Sequence, residues 1–393
     1  MLNLILAHDT HLRACCRSPL VLPFYLDRSI ISPAARMLIT GGSQAEVDVL
    51  YRQFESITYN QGSYSRTAYT HIFNLSIDVA EIDLGADLRL LQIHESAVPS
   101  LLGESGTSQS FLHPSATGNV FLAISQLGES SIPDADWLSS IRQSAHALVT
   151  ILQYMKDGII NVSYSVLDFS PPWVNELRKF GLLFIGDPRR LPYNNGHDRY
   201  KLDADGVNTL QRWRMALGVD SVKARMNAYG VQMRLTIERA GTYYEGSLER
   251  TQADERLIAL SIALESLFSP SDQSELSYRI CQYASLLLGV DAGERMSIFK
   301  SFRETYKLRS KLVHGTYDVQ RYRNATFVTE DQVREWADLI RRSVVSFVVL
   351  FLRGCDDTRS LHARLEKTCF DDGEGYNIRA EADIESFLAE LGF

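Results

Sequence analysis

Apolar side chains at Leu257, Leu260, Leu264, Leu267 and Phe268 recur at i, i+3, i+7, i+10 and i+11, which places them along one side of a helix. Leu276, Ile280, Tyr283 and Leu287 repeat the pattern, and Gly289 predicts where that second helix ends. Between them, Ser269-Pro270-Ser271-Asp272 predicts a stop for the first helix and a cap for the second. Ile298, Phe302, Tyr306, Arg309 and Val313 form a third stripe closed by Gly315. Val333, Trp336, Ile340, Val344, Phe347 and Phe351 form a fourth. Shorter helices are predicted near 358–367 and 380–391, with Asp356-Asp357 and Asp371-Asp372 as caps and loop charges. This part of the chain reads as a helical bundle.

Upstream the pattern changes. Thr67–Ile82 and Asp83–Ile93 carry β-branched and aromatic residues with partial alternation, and Asn119–Ser125 reads as another strand. The Gly-, Ser- and Thr-rich stretch at 103–118 predicts a surface loop. Trp137–Tyr154 predicts a helix, and Pro171-Pro172 opens another that runs to about Phe184. Pro188, Pro192 and Asn194-Asn195-Gly196 predict loop over 187–200, with helical pattern returning at about 203–217 and 220–239. The expected fold class is α+β: a β-rich N-terminal region, then helices and a C-terminal all-α bundle. We divide the chain into a mixed α/β domain over 1–200 and a helical domain over 201–393.

Composition narrows the functional classes. With 393 residues, 45% hydrophobic and 22% charged, the chain is long enough for two cores and ordinary for a soluble globular protein. A net charge of −8 argues against a general nucleic-acid coat, so any polyanion site must be a local patch. Five unpatterned cysteines (Cys15, Cys16, Cys281, Cys355, Cys369) predict a reducing, cytoplasmic setting without structural disulfides or a zinc cluster. Met1–Ala7 is apolar but short and lacks a basic leader, a poor signal peptide. Ser343–Leu352 is too short to span a bilayer, so no membrane partner is expected. No phosphate-binding glycine loop is present, and the expectation is neither metal nor cofactor.

The candidate chemistry lies at the end of the third stripe. Arg309 precedes His314 by five residues. Arginine grips phosphate with a permanently charged planar fork, and histidine both takes and gives a proton near neutral pH. The pair supplies what phosphodiester cleavage without a metal requires. The spacing itself is unspecific: Arg66…His71 and Arg89…His94 fall in predicted strands, and Arg190…His197 in a predicted turn. Only Arg309…His314 closes a long helical pattern. Another face of that helix carries Lys300, Arg303, Lys307, Lys311 and His314 at intervals of three and four. From Glu294 to Arg323 there are eight basic and three acidic residues, a local positive excess in an acidic chain. An arginine on an apolar stripe must be paired, for example with an acidic residue of the bundle such as Glu265 or Glu275, or must face a wet cleft or a second subunit. In a straight helix an i, i+5 pair diverges by about 140°. Arg309 and His314 therefore converge only if the helix frays near Gly315 or if each works with residues of a second subunit.

The segment Asp254-Glu-Arg-Leu-Ile-Ala-Leu-Ser-Ile-Ala-Leu-Glu-Ser-Leu-Phe268, then Glu275…Arg279, then Tyr306-Lys-Leu-Arg-Ser-Lys-Leu-Val-His-Gly315, resembles the HEPN superfamily, most of all its Apea-like branch, over roughly 250–355. The resemblance implies a bundle of four or five helices that dimerises. It implies a metal-independent endoribonuclease of the toxin, abortive-infection or antiviral-defence kind, with Arg309 and His314 as the catalytic pair. On that reading Tyr306, Ser310 and Glu265 support the pair, and Lys300, Arg303, Lys307 and Lys311 hold RNA phosphates. Ser310 stands where many members carry Asn, Asp or His. The implied partners are RNA, a second copy of the chain, and an antitoxin or phage-derived trigger acting with a sensory or regulatory N-terminal domain. Some members are inactive, and the alternative expectation is a dimerising RNA- or nucleotide-binding scaffold.

Overall fold

The computed structural model describes residues 63–85, 87–94, 119–129, 134–156, 158–170, 182–184, 200–217, 231–269, 275–314 and 328–393, with a few positions between 41 and 52. The fold is α+β. Strands β1 (Ser63–Phe73), β3 (Glu81–Gly85), β4 (Leu88–Ile93), β5 (Asn119–Glu129), β6 (Asn161–Ser170) and β7 (Leu182–Phe184) form one sheet in the order β3-β4-β5-β1-β6-β7. Every pairing described in it is antiparallel. Strands β2 (Leu75–Ile77) and β8 (Tyr200–Leu202) form a separate two-stranded pair.

Period-two alternation organises the central strand. In β1, Arg66, Ala68, Thr70 and Ile72 are buried, and Tyr69 joins the apolar cluster of Phe121, Tyr164 and Val166. The predicted strand over 67–82 is broken at Asn74, whose φ of 62° is a left-handed conformation that Asn tolerates. The end of the predicted 171–184 helix is also corrected: Leu182–Phe184 is a strand paired with β6, because an apolar triplet reads equally as helix or buried strand. The sequence pattern predicts no element at β6. Its run Asn161-Val-Ser-Tyr-Ser-Val is largely buried on both faces and so lacks alternation.

The helices are α1 (Asp134–Met155), α2 (Ala204–Leu217), α3 (Val231–Leu248), α4 (Ala253–Phe268), α5 (Leu276–Leu288), α6 (Ala292–His314), α7 (Glu330–Leu352), α8 (Thr358–Lys367), α9 (Asp372–Ala382) and α10 (Ile384–Glu390). Two compact units result. One holds the sheet and α1 up to His146; the other holds α1 from Ala147 and the chain from Ala204 onward.

Helix α7 is the axis of the helical unit, packing against α3, α4, α5, α6 and α9. Its predicted stripe of Val333, Trp336, Ile340, Val344, Phe347 and Phe351 is buried throughout. Thr329 opens it with a reciprocal capping box to Gln332. The α4 stripe is equally buried, and Phe268 meets Phe347 edge to face at 5.1 Å. Asp357 and Asp371 cap α8 and α9. The predicted helix at 380–391 begins earlier and is divided by Asp383, which caps α10. Gly289 does end α5, but with φ −83°. Its value there is space: a Cβ would lie 2.7 Å from the Arg295 backbone nitrogen. Helix α5 starts at Leu276, and its N-cap residue, Glu275, makes no side-chain cap. The predicted cap at 270–272, the loop at 103–118 and the first seven residues lie outside the described residues.

Candidate functional site

Helix α6 carries the candidate catalytic pair. Its apolar stripe begins as core, with Ile298 and Phe302 at 4% and 0% exposure. Tyr306 and Arg309 follow half-buried, and Val313 is 54% exposed. The stripe therefore leaves the core as it approaches the helix end. Helical geometry holds through His314, which is exposed. Arg309 and His314 therefore point in directions about 140° apart.

Glu265, near the end of α4, receives Arg309: guanidinium Nη2 lies 3.5 Å from Oε1. Burial pushes the Glu265 carboxyl above its ordinary value, and the Arg309 charge pulls it back. Tyr306, one turn before Arg309, has its hydroxyl buried without a hydrogen-bond partner among the described residues. Burial drives that phenol far above its usual range; the Glu265 charge adds to the shift and Arg309 opposes it. Cys281 of α5 is adjacent, fully buried, with its thiol pushed up to about 12 by burial. Arg309 Nε is likewise buried and unpartnered among the described residues. The structure thus brings Glu265, Tyr306 and Arg309 together and leaves His314 apart, on the exposed end of the same helix.

The cationic row stands on solvent. Lys300, Arg303, Lys307, Ser310 and Lys311 are exposed. Lys307 pairs with Glu304 at 2.5 Å, and the Arg303 guanidinium lies 5.8 Å from the centre of the Phe299 ring. The lysine hydrogen bond holds the Glu304 carboxyl below its ordinary value. On the inner side, Ser301 joins α6 to α7 by accepting from Trp336 Nε1 at 2.9 Å and donating to Glu335 at 2.9 Å.

The competing arginine–histidine spacings have structural explanations. Arg66 is 1% exposed within β1, donates to Gln126 at 2.9 Å and lies 4.5 Å from the centre of the Trp137 ring. His71 stacks against Tyr164 with ring centres 5.2 Å apart. Arg89 pairs with Glu81 at 3.2 Å. Residues 190–197 lie outside the described residues.

A second polar constellation escaped the sequence reading: Arg279 and Tyr283 of α5 with His362 and Glu366 of α8. Arg279 and Glu366 are 87 positions apart, so no local pattern linked them; only the helix-spaced pair Arg279 and Tyr283 hinted at it. Among the described residues, no group of three or more His, Cys, Asp or Glu side chains is placed to hold a metal ion, and no helix is long and apolar enough to cross a membrane. Comparison with protein-family models, with curated proteins and with solved structures finds no match.

Proposed function

We propose that the helical unit is a HEPN-like, metal-independent endoribonuclease whose catalytic residues are Arg309 and His314. The observation that carries the reading is the end of α6. There an arginine braced by Glu265 and an exposed histidine accompany an exposed row of cations. In this scheme the ribose 2′-oxygen attacks the adjacent phosphorus and the 5′-oxygen leaves. His314 moves the proton as general base or acid, a role worth roughly 10²–10⁴-fold. Arg309 balances charge that builds on the phosphate oxygens. Lys300, Arg303, Lys307 and Lys311 hold neighbouring phosphates and make affinity fall with salt. The products carry 2′,3′-cyclic phosphate and 5′-hydroxyl ends.

Because the helix stays regular through His314, the two side chains of one copy do not meet. A homodimer, in which Arg309 and His314 of two copies share one cleft, resolves this. The half-exposed Arg309 and the 54% exposed Val313 fit a face that a second copy covers. The sheet unit then acts as the regulatory or sensory part, for a toxin or antiviral-defence effector in the cytoplasm. One observation favours the alternative of an inactive, dimerising RNA- or nucleotide-binding scaffold: the Arg309–Glu265 pair is also what a purely structural arginine makes. Cleavage of RNA in EDTA by the wild-type chain, lost in Arg309→Ala and His314→Ala, separates the two.

A further inference from the structure

The start of α3, the end of α4, and helices α5 and α8 frame a pocket of about 270 Å³. Arg279, Tyr283, Thr358, Arg359, His362 and Glu366 line it, beside the polar side chains of Gln232 and Ser269. That volume is just below the ~300 Å³ at which drug-sized sites begin, so it admits one small polar unit rather than a stretch of oligonucleotide.

The pocket wall is a wired network. Arg279 donates to the Tyr283 oxygen at 2.8 Å and to Glu366, and the Tyr283 hydroxyl donates to the same Glu366 oxygen. These bonds hold Glu366 as an anion, its carboxyl lowered first of all by the tyrosine. One arginine is thereby neutralised inside the site. His362 is 6% exposed and stacks on Tyr283 with ring centres 5.0 Å apart. Its Nε2 lies 3.2 Å from the Leu267 carbonyl, which can only accept, so Nε2 carries the proton. Burial lowers the His362 pKa, so the ring is neutral and Nδ1 presents a lone pair. No partner for Nδ1 is present among the described residues.

Arg359 is different. It is exposed on the pocket rim and makes no ion pair among the described residues. Asp357 already accepts from the amides of Arg359 and Ser360, so the guanidinium, not the helix end, is the anion's partner. Thr358, itself buried, also lines the pocket. The site therefore offers a phosphate-matching cation at its rim and a hydrogen-bond acceptor in its wall. A bare anion leaves the acceptor unmet, and a neutral sugar leaves the cation unmet. We propose that this pocket binds a phosphate monoester bearing hydroxyl groups, the sugar-phosphate class, with Arg359 on the phosphate and His362 Nδ1 accepting from a hydroxyl.

The test is calorimetric titration of the full chain, reading binding and not cleavage, so it stands or falls apart from the ribonuclease reading. Ribose 5-phosphate should bind saturably, ribose should not, and inorganic phosphate should bind at least tenfold more weakly. Arg359→Gln should weaken ribose 5-phosphate at least tenfold with an unchanged melting temperature. A 5′-phosphorylated trinucleotide that competes assigns the pocket to RNA ends; one that does not assigns it to free sugar phosphates, and the class stands in both cases. Absence of saturable binding to the folded wild type, or equal affinity in Arg359→Gln, overturns the proposal. Equal affinity for inorganic phosphate removes the role given to His362.

Discussion

Replacing Arg309 with glutamine removes the charge that offsets the burial of Glu265. The two groups are 3.5 Å apart, with side chains 32% and 24% exposed. At that separation and an effective dielectric of ~20 the attraction is about 5 kcal/mol. Solvent screening of a pair about one-third exposed, and the cost of desolvating both ends, cancel most of it. The net loss expected for Arg309→Gln at pH 7 is about 1–2 kcal/mol. The sign with pH follows from Glu265, whose carboxyl burial raises. A raised carboxyl favours the folded state at low pH, and its ionised form costs stability as pH rises through the folded value. With Arg309 gone that cost is uncompensated. The penalty should therefore be largest near pH 7 and shrink toward pH 4, where Glu265 is protonated. The assay is urea unfolding of wild type, Arg309→Gln, Glu265→Gln and the double variant at both pH values. A coupling of about 1 kcal/mol at pH 7 that fades at pH 4 is the predicted result. Coupling below about 0.3 kcal/mol, or a penalty independent of pH, refutes the bracing of Arg309 by Glu265.

Two further outcomes follow from buried titratable groups. His362 is held neutral by burial, its pKa lowered from the ordinary 6.5. That stability is present above about pH 6.5 and is lost as pH falls through the lowered value, so the urea midpoint should drop between pH 7.5 and 5. His362→Gln should flatten that slope; an unchanged slope contradicts the assignment. Cys281 is fully buried with its thiol pushed up to about 12, whereas Cys369 is exposed. Iodoacetamide on the native protein should modify Cys369 and spare Cys281 until urea is added, as read by peptide mass spectrometry. Rapid native labelling of Cys281 contradicts the packing of α5 against α6.

The helical unit was the most legible part because its burial is one-sided. Leu257, Leu260, Leu264 and Leu267 face a single core, so the 3.6-residue period survives in the sequence, as it does in α7. Strand β6 was illegible for the opposite reason: with Val162, Ser163, Tyr164, Ser165 and Val166 all buried, no polar face marks the period. The boundary at Asn74 needs a left-handed residue that composition alone does not announce. At the candidate site, the Arg309–Glu265 contact was anticipated from the cost of leaving a cation on an apolar stripe. The exposure of Val313 was not, since an apolar residue in register looks the same whether its neighbour is core or solvent. The Arg279–Tyr283–His362–Glu366 network joins distant segments and left only a faint local trace.

The most direct test is incubation of the purified 393-residue chain with mixed RNA in EDTA, beside Arg309→Ala and His314→Ala variants of verified fold, followed by analysis of the product ends. Cleavage by wild type alone, leaving 2′,3′-cyclic phosphate and 5′-hydroxyl ends, is the predicted result. Equal cleavage by all three proteins, or efficient cutting of DNA that lacks the 2′-hydroxyl, contradicts the assignment of Arg309 and His314.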